Sequence, residues 1–183
     1  MGKVAMVLLV LFLVVVVQLV HGHVDEDNWL EMGKEKVTHL HFYFHDTVSG
    51  KNPSAVRVAQ AADSDKSLTL FGVVMMADDP LTEGPEPSSK LVGRAQGLYG
   101  SAAHEEFGLI MAMSFGFTDG MYNGSTLCIL GRNSASHPVR EMPIVGGTSV
   151  FRLARGIAVA KIYWYNATTG DAIVEYNVTA IHY

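Results

Sequence analysis

The stretch that decides the fold is HLHFYFHD, His39–Asp46. It alternates with period two: Leu40, Phe42, Phe44 and Asp46 share one face, while His39, His41, Tyr43 and His45 share the other. That is the period of a β-strand, in which successive side chains point to opposite faces of the sheet. The Leu-Phe-Phe face belongs to a core. The next residue on that face is a carboxylate, which is costly to bury without a partner or a task.

From Val37 onward the same texture continues. Runs rich in Val, Ile, Phe, Tyr and Thr predict strands near 37–46, 54–60, 68–76, 91–100, 107–117, 124–131, 156–165 and 172–182. The separators, among them SGKNP, DSDK, DDPLTEGPEP, TDGMYNG, NSASHPVRE and NATTGD, carry the residues that make turns. No segment has a long helical period, and ARGIAVAKIYWY reads as a strand on its β-branched and aromatic content. The expected fold is all-β: an eight-stranded antiparallel up-and-down β-barrel, whose closure leaves no edge to defend. A sandwich is the alternative. The interior of an eight-stranded barrel holds side chains or one small ligand.

Ahead of the strands, Lys3 precedes VAMVLLVLFLVVVVQLV, so residues 1–22 read as a secretory signal peptide. Residues 23–36 are polar and aperiodic, a flexible arm, and 37–183 form the barrel domain. Cys128 is the one cysteine, which excludes an internal disulfide. Asn123, Asn166 and Asn177 begin glycosylation sequons, whereas Asn52 is followed by a proline that forbids one. The formal net charge of −5 and the lack of any basic run argue against nucleic acid or an anionic membrane as partner.

Several chemistries are weighed on the residues. His39 and His41, with His45 beyond, have same-face spacing for a metal, but the other histidines are scattered and an outer-face position is the preferred reading. No GxSxG elbow or glycine-rich phosphate loop is present. Asp46 has two readings: a desolvated carboxyl group with a raised pKa, useful as a general acid, or a residue that starts the turn HDTVSGKNP. Arg132 and Arg140 flank what reads as one long loop, where a guanidinium can hold a phenolate or quinone oxygen or simply pair with surface acids. Tyr99, Phe115, Phe117, Tyr163 and Tyr176 either line a pocket or fill a core.

Four motifs in register, FYFHD, GRAQGLYG, FTDGMYNGSTLCILGRN and REMPIVGGTSVFRLARG, resemble the plant dirigent proteins from about Val37 to Tyr183. The resemblance implies an eight-stranded barrel, usually a homotrimer, secreted to the apoplast and cell wall. It implies no cofactor or metal of its own, and phenolic radicals supplied by a separate oxidase, a laccase or peroxidase. By the same resemblance Asp46 and Arg140 take the catalytic positions and Tyr99 a substrate-pocket position. Phe44 belongs to the aromatic wall that receives the ring, and Arg132 and Asn133 are added as groups that steady an oxygen. Asn133 stands where lignan-forming members carry a second aspartate, and Ser101 where they often carry a tyrosine. The GRN and REMP wording is similar to the branch that includes pterocarpan-forming members.

Three functions follow in order. The first is stereoselective coupling of phenoxy radicals of lignan or biaryl type. The second is an enzyme cyclising a quinone methide from an isoflavanol, with Asp46 as proton donor. The third is a scaffold that binds cell-wall phenolics without chemistry.

Overall fold

A computed structural model describes residues 33–183; the segments read as signal peptide and most of the arm lie outside the described residues. Nine strands follow in order: β1 (Lys36–Asp46), β2 (Ala55–Ala59), β3 (Val74–Thr82), β4 (Leu91–Ser101), β5 (Gly108–Phe117), β6 (Thr126–Ser134), β7 (Val139–Thr148), β8 (Arg155–Tyr165) and β9 (Ala172–His182). Each pairs antiparallel with its neighbour from β3 to β9, and β9 pairs along the full length of β1. Closure comes from β1 meeting β3 at Tyr43–Thr82 and Phe44–Leu81. The short β2 pairs with Val74–Ala77 farther along the same edge of β3. β1 and β2 together therefore make one seam, and the result is a closed barrel of eight staves.

Two strand assignments change. The predicted strand at 68–76 lies instead at 74–82, because Leu70 and Gly72 have positive φ and turn the chain before it. Its second half, DDPLT, has the composition of a turn. Pro80 is accommodated because it falls between the stretches of β3 paired with β2 and with β1, where one edge carries no ladder. The second change is β7. The expected long loop after Arg132 is a short connection, 135–138, and β7 follows it.

Proline and glycines hid β7 from composition, yet its alternation is present: Arg140, Met142 and Ile144 are buried and the residues between them are exposed. Pro143 offers no N–H, and the β6–β7 ladder stops beside it at Ile129–Ile144. Gly131 completes the fit, since a Cβ there would lie 2.9 Å from the Pro143 ring.

Inward residues fill the barrel unevenly. At one end Phe42 meets Phe115 edge-to-face at 5.1 Å and stacks on Tyr176 at 5.7 Å, while Phe151 packs against Phe117. This aromatic plug is fully buried, and burying each such ring stabilises the fold by about 1.5–3 kcal/mol. The other end, where β1 finishes at Asp46 and β7 starts near Arg140, is left open.

Gly97 allows the wall to bend. Its φ is +150° and a Cβ there would come within 2.2 Å of the Ala112 carbonyl oxygen. Only glycine fits, two residues before Tyr99.

Candidate functional site

The open end encloses a cavity of about 990 Å³. Its walls include Phe44, Met75, Leu109, Met111, Val174 and Tyr176, and its polar groups are few. An apolar cavity with a small set of placed polar groups is the usual form of a small-molecule site.

Asp46 is the inward residue of β1 nearest the open end, one pleat beyond Phe44. Its Oδ2 accepts a 2.9 Å hydrogen bond from the Tyr99 hydroxyl, and its Oδ1 is buried without a partner. Burial pushes its pKa up to about 6, against the Tyr99 hydrogen bond and with a smaller push from Asp171. A raised carboxyl group in this position is what the general-acid reading requires. The turn reading describes the residues after it, where Asp171 accepts the N–H groups of Val48 and Ser49. Tyr99, raised first by its own burial and then by Asp46, remains a phenol and a donor.

Arg140 enters from β7, three staves around through β9 and β8. It is 6 % exposed, and its Nε donates to Asn133 Oδ1 at 3.0 Å. A second, longer bond of 3.4 Å runs to the His137 carbonyl. Among the described residues no carboxylate pairs with it, and burial draws its pKa down. The amide of Asn133 orients the guanidinium without cancelling its charge, as an aspartate would. A buried, unpaired guanidinium facing a cavity suits a phenolate or carbonyl oxygen.

Phe44, Asp46, Tyr99, Asn133 and Arg140 are thus brought together around one cavity. Arg132 does not join them. It follows Gly131 on the outward face of β6 and pairs with Glu106. Adjacent strand residues face opposite ways, so Arg132 and Asn133 cannot both enter the barrel. Of the other aromatics, Tyr176 lines the cavity, Phe115 and Phe117 fill the core, and Tyr163 is outside, edge-on to Tyr43. His39 and His41 are exposed and bond Thr179 and Glu175; His45 is buried against Thr82 at 2.7 Å.

One residue escaped the sequence reading. Asp79, inside DDPLT, is 0 % exposed and points into the barrel from β3. Ser54 donates to its Oδ1, its Oδ2 is buried without a partner, and burial with the nearby Asp46 charge pushes its pKa up to about 8. The signal available was parity with Leu81, two residues on, which is also inward.

The three sequon asparagines fall in different places. Asn123 follows β5 at the plugged end and is exposed, and Asn177 is exposed on the outer face of β9. Asn166 closes the β8–β9 turn, its Oδ1 accepting from Thr168 N–H at 2.9 Å.

A closed antiparallel barrel holding an acid, a phenol and an unpaired guanidinium around an aromatic-walled cavity defines a class: a small-molecule barrel shaped for oxygen-bearing aromatic ligands. The chain belongs to the dirigent family, whose model for dirigent-like proteins matches residues 37–181. It is 59 % identical over 177 residues to dirigent protein 23 of Arabidopsis thaliana, covering 97 % of this chain and 95 % of the relative. It is 58 % identical over 151 residues to pterocarpan synthase 1 of Glycyrrhiza echinata, covering 82 % and 80 %. The solved structure of the pterocarpan synthase dirigent protein GePTS1 superposes with a TM-score of 0.76 at 57 % identity, covering 84 % of this chain and 88 % of that one.

Proposed function

We propose that this protein draws a phenolic intermediate into the open end of its barrel and closes a ring on it stereoselectively as water leaves. The observation that carries the reading is Asp46: a partly buried acid, its pKa pushed up to about 6, held by Tyr99 at a cavity that also receives the Arg140 guanidinium. The suited substrate has a benzylic hydroxyl conjugated to a phenol and a second phenol within reach, as in an isoflavanol. Asp46 gives its proton to the benzylic hydroxyl, the C–O bond breaks, and water departs. The conjugated phenol releases its proton to leave a quinone methide, whose oxygen Arg140 steadies. The second phenolic oxygen then adds to the vacated carbon, its proton passes to the first oxygen, and Asp46 is reprotonated by the proton released earlier. The net change is loss of one water, with no oxidant. The similarity to pterocarpan synthases supports this order of readings over the one the sequence suggested.

Radical coupling is the second reading. The cavity volume, about 990 Å³, stands at the upper end of the range for sites enclosing one small molecule, which favours room for two small phenols. Radicals from a laccase or peroxidase need orientation and no acid. A preference of about 1.4 kcal/mol between faces gives roughly tenfold bias.

The test is chiral chromatography of products from purified protein with an isoflavanol and no oxidant. One cyclised enantiomer is expected, with the rate reduced by about 10²–10⁴ in Asp46→Asn, the usual contribution of a general acid. Enantiomeric excess confined to reactions of a monolignol with a one-electron oxidant would instead establish radical coupling.

Secretion to the apoplast, glycosylation and trimer formation belong to the same proposal. The leader reading and the sequons support the first two. For the third, Met76, Leu98, Ile110 and Leu130 form an exposed apolar band across the outer face of β3 to β6, which further copies of the chain would cover. Light scattering of the purified protein measures this directly.

A further inference from the structure

We propose that Asp79 is a positioning residue that acts through Asp46, the two carboxyl groups holding one proton between them. The inference deepens the cyclase reading, on which its catalytic half rests; its acid–base half stands on geometry alone.

Three observations carry it. The register of β1 on β3, Tyr43–Thr82 and Phe44–Leu81, continued by one pleat sets Asp46 opposite Asp79 on the inner face. Such opposed residues have side chains close enough to interact directly. Each carboxyl group then has one oxygen held by an outside donor and one left over: Tyr99 holds Asp46 Oδ2, Ser54 holds Asp79 Oδ1, and Asp46 Oδ1 and Asp79 Oδ2 are both buried without partners. Buried polar atoms without partners are rare, and two on facing acids are explained by one proton bridging them. Finally, Asp79 is fully buried and does not line the cavity, so it meets substrate only through Asp46.

Few other charges bear on the pair. Arg94 of β4 and Asp78, bonded to each other on the opposite face of β3, reach Asp79 in opposite senses, Arg94 drawing its pKa down and Asp78 pushing it up, both behind burial and Asp46. Tyr99 and Tyr176 stay neutral, and burial holds His45, behind the strand, towards its neutral form. Asp171, in the β8–β9 turn, is the nearest further acid that bears on Asp46. Two carboxyl groups in such a place ionise in two steps that belong to the pair. The directions agree: burial pushes Asp46 up to about 6, and burial with the Asp46 charge pushes Asp79 up to about 8.

In the reaction the bridging proton goes to the departing hydroxyl, which leaves as water, and the pair is briefly without a proton. The proton that the conjugated phenol releases as the quinone methide forms restores it. Atoms and charge balance, and no oxidant enters.

The experiment compares wild type with Asp79→Asn, which keeps the volume and an acceptor for Ser54 but cannot share an acidic proton. Oxidant-free turnover of an isoflavanol is followed against pH. The wild-type rate is expected to fall near pH 8 and the variant rate near pH 6, a shift of about two units. A variant slowed equally at all pH values, with its limb unmoved, would make Asp79 merely structural and overturn the proposal.

Carboxyl ¹³C NMR of aspartate-labelled protein tests the pair without substrate and without the variant. Expected are two steps felt by the Asp46 signal; one step indifferent to Asp79 refutes the pair even if turnover is found. Two coupled steps in a protein that turns over nothing without oxidant would keep the pair and discard the cyclase.

Discussion

Tyr99 on β4 donates its phenolic hydrogen to Asp46 on β1 at 2.9 Å, spanning two strands that are not neighbours in the sheet. The bond sets the acid. Without Tyr99 the burial of Asp46 would act unopposed, because this hydrogen bond is what draws its pKa down. In Tyr99→Phe the Asp46 carboxyl group is therefore expected to titrate above 6, and the stability at neutral pH to fall by about 1–3 kcal/mol as a buried carboxylate loses its donor. A carboxyl titration by NMR and a urea melt read the two effects separately.

Asn133→Asp would place a carboxylate where the amide oxygen now accepts from Arg140 Nε at 3.0 Å. The guanidinium would then be spent on its neighbour. A phenol that binds through Arg140 is expected to bind about tenfold more weakly, equivalent to about 1.4 kcal/mol, by calorimetry or fluorescence titration. Unchanged affinity would show that ligand does not use this arginine.

Stability is expected to fall as pH rises from about 4 to about 8. Asp46 and Asp79 both titrate higher in the fold than in the unfolded chain, so across that window the fold keeps protons that the unfolded chain has released. The stability they contribute is full below the unfolded pKa and gone above about 8. Asp78 and Asp171, whose pKa values are lowered by hydrogen-bond donors, act in the opposite sense but lie near the surface, and their contribution is lost only as pH falls below about 4. Urea midpoints measured from pH 4 to 9 should decline in wild type, and decline less in Asp79→Asn, with the difference building steadily from about pH 4 to about pH 8.

Gly97→Ala is expected to destabilise the barrel by on the order of 3 kcal/mol, through both its positive φ and the close Ala112 carbonyl. Thermal or urea unfolding gives the value, and a loss below 1 kcal/mol would mean that the bend relaxes without cost.

Much of this molecule was legible along the chain. HLHFYFHD alternates strictly enough to assign β1 and its inner face, because a strand's period is a local property of the backbone, though it leaves Asp46 open between an inward acid and the start of a turn. The motif GLYG located Tyr99, and the position of Arg140 came with REMPIVGG. The errors have one origin. DDPLT and PVREMPIVGG have turn-like composition, and only their neighbours make them strands: β4 on one side of β3 with the seam on the other, and β8 beside β7. Where the ladder supplies the partners, a strand tolerates proline, glycine and acid that local propensity counts against it.

What the sequence by itself determined is therefore the parity of the strands it could recognise; that Asn133 faces inward while Arg132 cannot followed only once β6 was seen to run on to Ser134. What only the tertiary structure decided is which inward residues meet. Asp46 and Asp79 are brought opposite each other by barrel closure, through a pairing of β1 with β3 that involves just two residue pairs. That contact depends on the number of staves and on the shear between the first and the last of them, quantities that belong to the ring as a whole. No local pattern encodes them, so the second acid came into view only when the barrel closed.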